Sequence, residues 1–190
     1  MKRLFVAIKI SPDKEYLEAF RMLKAQFRHE KIKWVEEQNI HITLKFFGEM
    51  EENRIPEIDG VLRELAGETE TFSFSLRNLG IFGSSYNPKV IWAGIEPYTK
   101  LSEIMKLLQD KLQVTGFEKD RQNTVPHLTL GRIKELKDKH LFQQILSQHK
   151  NIASEVLRVD RFFLYESILK KEGPVYLVLK TYILGGERVS

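Results

Sequence analysis

The sequence predicts an α+β, bilobal fold. Two lobes related by a pseudo-two-fold axis carry largely antiparallel sheets that line a central cleft, with the helices outside. Three observations predict it. The stretch "HITL" at 41–44 recurs as "HLTL" at 127–130, 86 residues on. The same offset superimposes strand-like and helix-like segments elsewhere. The junction between the copies, "GSSYNPK" at 83–89, is rich in the residues that make turns. The chain is therefore read as a single bilobal domain over 1–190, with its internal repeat divided at roughly 1–86 and 87–190.

The elements follow in order. "RLFVAIKI" (3–10) falls on "KVIWAGIE" (89–96), two runs of strand length rich in β-branched and aromatic residues. Ser11 and Pro12 read as a cap and first helical residue, and Tyr16, Phe20, Leu23 and Phe27 then recur at helical spacing. The shifted counterpart opens with Pro97 and carries Leu101, Ile104, Leu108 and Leu112. A second helix at about 51–66 matches one at about 136–150. "FSFSLRNLGIF" (72–82) falls on "RVDRFFLYESI" (158–168), and "GPVYLVLKTYIL" (173–184) is expected as the last strand of the second lobe.

Composition bounds the function. Hydrophobic content of 42% and charged content of 29% suit an ordinary globular chain. No apolar run approaches the ~20 residues of a membrane helix, and "LFVAI" is too short for a signal core. There is no cysteine, which excludes disulfides, thiolate metal sites and a cysteine nucleophile. A reducing cytoplasm is the expected compartment. The net charge of +4 lies mostly after residue 86, which suits a partner that carries phosphates or a merely solvated basic surface.

Residues two apart on a strand share a face. His41 and Thr43 therefore point one way while Ile42 and Leu44 enter a core, and His127 and Thr129 do the same beside Leu128 and Leu130. A pseudo-two-fold relation can bring both polar faces to one groove. Two facing imidazoles suit a reaction in which one oxygen loses a proton as another gains one. In-line cleavage of a phosphodiester has that requirement, and threonine hydroxyls can donate to the non-bridging oxygens. Neither motif has a dense His/Asp/Glu set nearby, so no metal and no cofactor are expected. A single His-x-Thr on a strand is more often structural; two copies at matching places in a repeat reverse that preference, since polar faces buried without a task cost stability. His29, His140 and His149 read as surface residues.

"HITLKFFGE" (41–49), "PHLTLGR" (126–132), "LYESILKKEGPVYLVL" (164–179) and the opening "RLFVAI" together resemble the two-histidine phosphoesterases. The branch they look most like is the RNA 2′,3′-cyclic phosphodiesterase, or 2′-5′ RNA ligase, family. The resemblance runs over essentially the whole chain. It implies metal-independent opening of an RNA terminal 2′,3′-cyclic phosphate to a 2′-phosphate, with weak reversible 2′-5′ ligation as an accompanying activity. The implied partners are RNA ends or nucleotides that carry such a phosphate. From the sequence itself no membrane partner is expected, and the chain is expected to be a monomer. Carried over, His41 and Thr43 form the first motif and His127 and Thr129 the second, with both threonines on the phosphate. His41 is expected as the proton donor to O3′ and His127 as the proton acceptor from water; the exchanged assignment is the alternative that a symmetric site leaves open. Arg132 matches a basic position after the second motif. Strict alternation puts it on the opposite face from His127 unless a bulge, which Gly131 would permit, turns it back. The first motif has Phe46 at that place. Lys45 shares the His41 face by alternation and is a second candidate for an RNA or phosphate contact, beside its reading as an exposed lysine. Phe47, Tyr165 and Tyr176 are candidates for stacking on a base or for core packing. Competing readings are a related phosphoesterase acting on 2′-5′ linkages or small cyclic nucleotides, and a non-catalytic RNA-end binder.

Overall fold

The computed structural model describes residues 1–119, 125–171 and 173–185. Strand β1 (Lys2–Lys9) shows how the sequence sets the layers. Leu4, Val6 and Ile8 point into the main core, and Phe5 and Ala7 point to the opposite face and are buried there too. Helix α1 (Lys14–Gln26) follows, capped by Asp13, whose carboxylate accepts from the Tyr16 N–H at 2.8 Å. The cap thus lies two residues beyond the expected Ser11, because a carboxylate at Asp13 can satisfy an open N–H of the first turn. The other Asp13 oxygen accepts from the Glu155 N–H at 2.8 Å, which ties the first helix to the second half of the chain.

The remaining elements are β2 (Lys31–Trp34), β3 (His41–Met50), α2 (Ile55–Glu68), β4 (Phe72–Ser84), β5 (Asn87–Glu96), α3 (Thr99–Val114), β6 (Leu128–Glu135), α4 (Lys139–Gln148), β7 (Leu157–Val159), β8 (Arg161–Leu169) and β9 (Pro174–Ile183). The four helices lie close to where the apolar spacing put them. Leu101, Ile104, Leu108 and Leu112 of α3 are all buried, each such side chain contributing roughly 1.5–3 kcal/mol of transfer free energy when fully enclosed. No helix among the described residues is long and apolar enough to cross a membrane.

Among the described residues two sheets form, in the orders β3-β1-β8-β9 and β2-β6-β5-β4-β7, and every strand pairing is antiparallel. The α+β class with two antiparallel sheets holds. The assignment of strands to the two halves of the repeat does not follow the chain. Strand β4 joins β5, and β8 joins β1, so each half gives a long strand to the sheet founded by the other. The segment expected to end the second lobe, β9, is instead the edge of the sheet that carries the first motif. Its Lys180 Nζ and Tyr182 Oη donate to Asp59 of α2 at 2.6 and 2.8 Å, and Arg63 Nε donates to the same carboxylate at 3.1 Å. Burial alone would raise the Asp59 pKa, but these three donors outweigh it and hold the carboxyl below its ordinary value.

Candidate active site

His41 opens β3 and His127 immediately precedes β6. Their surroundings repeat in kind. The Nδ1 of His41 lies 2.6 Å from the carbonyl oxygen of Asn39, and the Nδ1 of His127 lies 2.8 Å from that of Val125. Each ring is thus held by the carbonyl two residues before it. A carbonyl can only accept, so each Nδ1 carries the proton, and each Nε2 is left to accept when the ring is neutral and to donate when it is charged. Aromatic rings fix the imidazoles further. Phe5 and Tyr176 lie 5.2 and 5.3 Å from the His41 ring centroid, Tyr176 edge-on. Phe82 stands edge-on to His127 at 4.7 Å, with Trp92 at 6.4 Å.

Thr43 and Thr129 are half-buried on the same strand faces as their histidines, opposite Ala7 and Trp92 respectively. Beyond each threonine the ladder slips. In β3 the register passes from Thr43↔Ala7 to Lys45↔Val6, and in β6 from Thr129↔Trp92 to Gly131↔Ile91. Leu44 and Leu130 are the extra residues of two β-bulges at matching places in the repeat. Each bulge buries two successive residues and returns the third to the face of the histidine.

For Arg132 this supplies the turn that strict alternation lacked. The guanidinium reaches the cleft side, and its charge acts on His41, His127 and Tyr176 alike. For Lys45 the same bulge has the opposite effect. Its side chain leaves the His41 face and is buried at 5% exposure, with Nζ donating to the Glu118 carbonyl at 3.1 Å. Lys45 is neither the exposed lysine nor the cleft-face cation that alternation gave. Phe46 takes the place that Arg132 holds in the other copy, and the Arg3 guanidinium stacks over its ring at 5.0 Å.

Burial lowers the pKa of both imidazoles. The hydrogen bond to the carbonyl works against it, and the nearby Arg132 charge adds to the lowering. Both rings are therefore biased to be neutral around neutral pH until an anion arrives. His41 stands between two cavities. One, of about 220 Å3, has Phe5, Phe163, Tyr165 and Tyr176 in its wall. The other, of about 670 Å3, takes in His41, Thr43 and Arg132. His127 and Thr129 lie outside the lining of both, on the face of β6 that leads to Arg132. Phe47 packs against Phe117 at 5.5 Å and belongs to the main core, whereas Tyr165 and Tyr176 border the smaller cavity. His29 and His140 are exposed, and His149 is half-buried with its Nε2 3.0 Å from the Gln26 side chain. Among the described residues no three His, Asp or Glu side chains cluster as a metal site.

The aromatic rings around each histidine were not legible beforehand, apart from Tyr176. Phe5 and Trp92 sit in runs that read simply as strand, and the anchoring carbonyls of Asn39 and Val125 belong to the backbone.

Residues 10–170 match the model of the 2′-5′ RNA ligase superfamily. The chain is 35% identical over 181 residues to an RNA 2′,3′-cyclic phosphodiesterase of Methanocaldococcus jannaschii, covering 95% of this chain and 99% of that one. It is 33% identical over 177 residues to a protein of the same name from Thermotoga maritima, covering 93% and 92%. A crystal structure from Thermus thermophilus superimposes with a TM-score of 0.77 at 27% identity, over 98% of this chain and 100% of that one. E. coli LigT complexed with 3′-AMP superimposes at 0.75 over 96% and 98%; at 23% identity this likeness is one of fold.

Proposed function

The chain belongs to the 2′-5′ RNA ligase superfamily, and on that premise we propose that it is a hydrolase that opens RNA terminal 2′,3′-cyclic phosphates, leaving a 2′-phosphate. The observation that carries the reading is the matched pair of histidines, each anchored through Nδ1 to a backbone carbonyl and both under the charge of Arg132. The names of the Methanocaldococcus and Thermotoga relatives support the substrate.

In the proposed reaction His127 accepts a proton at Nε2 from a water as the water oxygen bonds to phosphorus. The P–O3′ bond breaks on the opposite side, and O3′ takes a proton from the Nε2 of His41. The hydroxyls of Thr43 and Thr129 donate to the non-bridging oxygens as charge builds on them, and Arg132 balances that charge. A bound phosphate anion opposes the lowering of the imidazole pKa values and lets one ring hold a proton. The assignment of His41 to the leaving group has a structural argument. O3′ stays with the terminal nucleoside, and the aromatic cavity that suits a nucleoside borders His41. If an RNA 5′-hydroxyl replaces water as the nucleophile, the same proton transfers join two ends through a 2′-5′ linkage, the weak reversible side reaction. The 190 residues act as one bilobal domain, and the chain supplies both halves of the site as a monomer.

Product analysis of 2′,3′-cyclic AMP hydrolysis tests this. The expected product is 2′-AMP. A 3′-AMP product would exchange the roles of the leaving oxygens, and no turnover of any 2′,3′-cyclic phosphate would overturn the reading.

A further inference from the structure

The larger cavity takes in His41, Thr43 and Arg132, and its wall is strongly cationic. Arg3, Lys24, Lys33, Arg132 and Lys134 contribute to it, from β1, α1, β2 and β6, against the one carboxylate of Glu36 among its described lining residues. None of these five cations forms an ion pair among the described residues. Elsewhere Lys2, Arg21, Lys31, Arg54, Arg63 and Lys111 all do.

Within the groove Lys33 stands directly opposite Arg132 in the β2–β6 register. Like charges placed opposite each other on neighbouring strands destabilise a sheet. Among the described residues neither Lys33 nor Arg132 is paired with a carboxylate, and Glu36 is the one acidic side chain in the groove wall, which points to an anion from outside. The charges are also spread over four elements along a cavity of about 670 Å3, more room than the terminal phosphate needs. Phe5, His41 and Tyr176 line both cavities, so the cationic groove and the aromatic cavity adjoin at His41.

We propose that this groove binds the phosphodiester backbone of single-stranded RNA on the 5′ side of the cyclic end, which makes an oligoribonucleotide the preferred substrate over a mononucleotide. The inference rests on the reading that the histidine pair opens the terminal phosphate, and it adds a binding track that the chemistry does not itself require. Lys33 and Lys134 line the groove together with Arg132. Each phosphate contact they make releases counterions from the RNA.

The test compares wild type with the double variant K33A/K134A on two substrates, 2′,3′-cyclic AMP and an oligoribonucleotide of about ten nucleotides ending in a 2′,3′-cyclic phosphate. The variant is expected to lose about tenfold in kcat/KM on the oligoribonucleotide and no more than about twofold on cyclic AMP. Its log–log salt slope on the oligoribonucleotide should flatten by about 1.4, from about 0.7 for each phosphate contact. Its Tm should not fall, since removing Lys33 relieves repulsion. Equal losses on both substrates, or no loss on either, overturn the groove. If wild type turns over neither substrate, the catalytic reading fails by itself. The groove is then judged by fluorescence anisotropy with the same oligoribonucleotide ending in a 3′-phosphate. Binding about tenfold weaker in the variant sustains it, and equal affinity overturns it.

Discussion

The Nζ of Lys45 donates to the carbonyl of Glu118 at 3.1 Å, so a buried cation of the strand that begins with His41 is tied to the other half of the repeat, just after α3. The two histidines come from different halves of the repeat, and this contact joins those halves. Replacement by methionine keeps most of the aliphatic stem and removes the charge. Lys45→Met is expected to cost about 1.5–3 kcal/mol, the usual worth of a hydrogen bond to a charged group. Urea unfolding measures it, and an unchanged midpoint would show that the contact carries no stability.

The histidines themselves should be separable from the fold. Neither ring belongs to the main hydrophobic core, so His41→Ala and His127→Ala are expected to stay folded. Each should lower kcat on a 2′,3′-cyclic phosphate by about 10²–10⁴, the range of general acid–base catalysis. The double variant should lose much less than the product of the two factors, because the two rings act on one transition state. Full activity in either single variant would remove that ring from the mechanism.

Burial gives the pH dependence its sign, and Arg132 adds to it. Burial and the guanidinium both lower the imidazole pKa values, so the bell-shaped profile of kcat/KM should be centred below ~6.5, the ordinary histidine value. Removing the positive charge makes a second positive charge on either ring less costly. Arg132→Gln should therefore raise both pKa values and move the bell to higher pH. NMR titration of the two rings reports the shift directly. A rise at one ring alone would mean that the arginine faces only one histidine.

The bulge after the second threonine has a steric requirement. A Cβ on Gly131 would lie 2.8 Å from the Trp34 ring and 2.9 Å from the Ile32 side chain, both on the neighbouring β2. Gly131→Val should push β2 outward at a cost of about 1–3 kcal/mol. It should also reduce turnover, because Arg132 follows directly. Stability and activity that both match wild type would show that β2 yields freely.

Much of this molecule could be read from residue order alone, and the rest has identifiable physical causes. The repeat placed four helices and the two His-x-Thr strands, because periodicity and spacing are local properties. Alternation then carried Lys45 to the wrong face, since one extra residue at Leu44 inverts everything after it. The matching bulge at Leu130 was open to suspicion because Gly131 follows it. At the first bulge a lysine occupies that place and gives no such signal. The exchange of β4 and β8 between sheets was invisible for a different reason. Self-similarity reports which segments correspond, whereas strand pairing is decided across the whole chain, once all the apolar faces compete for cover.

That exchange gives the chain the connectivity of a swapped dimer whose protomers have been fused through the turn between β4 and β5. In residues 1–86 only β1 and β3 pair with each other, while β2 and β4 have all their partners in the other half. Neither half can therefore melt alone without leaving backbone donors and acceptors open in the other. The protein is expected to unfold in one transition in spite of its two sheets. Cut at that turn, the fragments should recover a folded state only as a heterodimer.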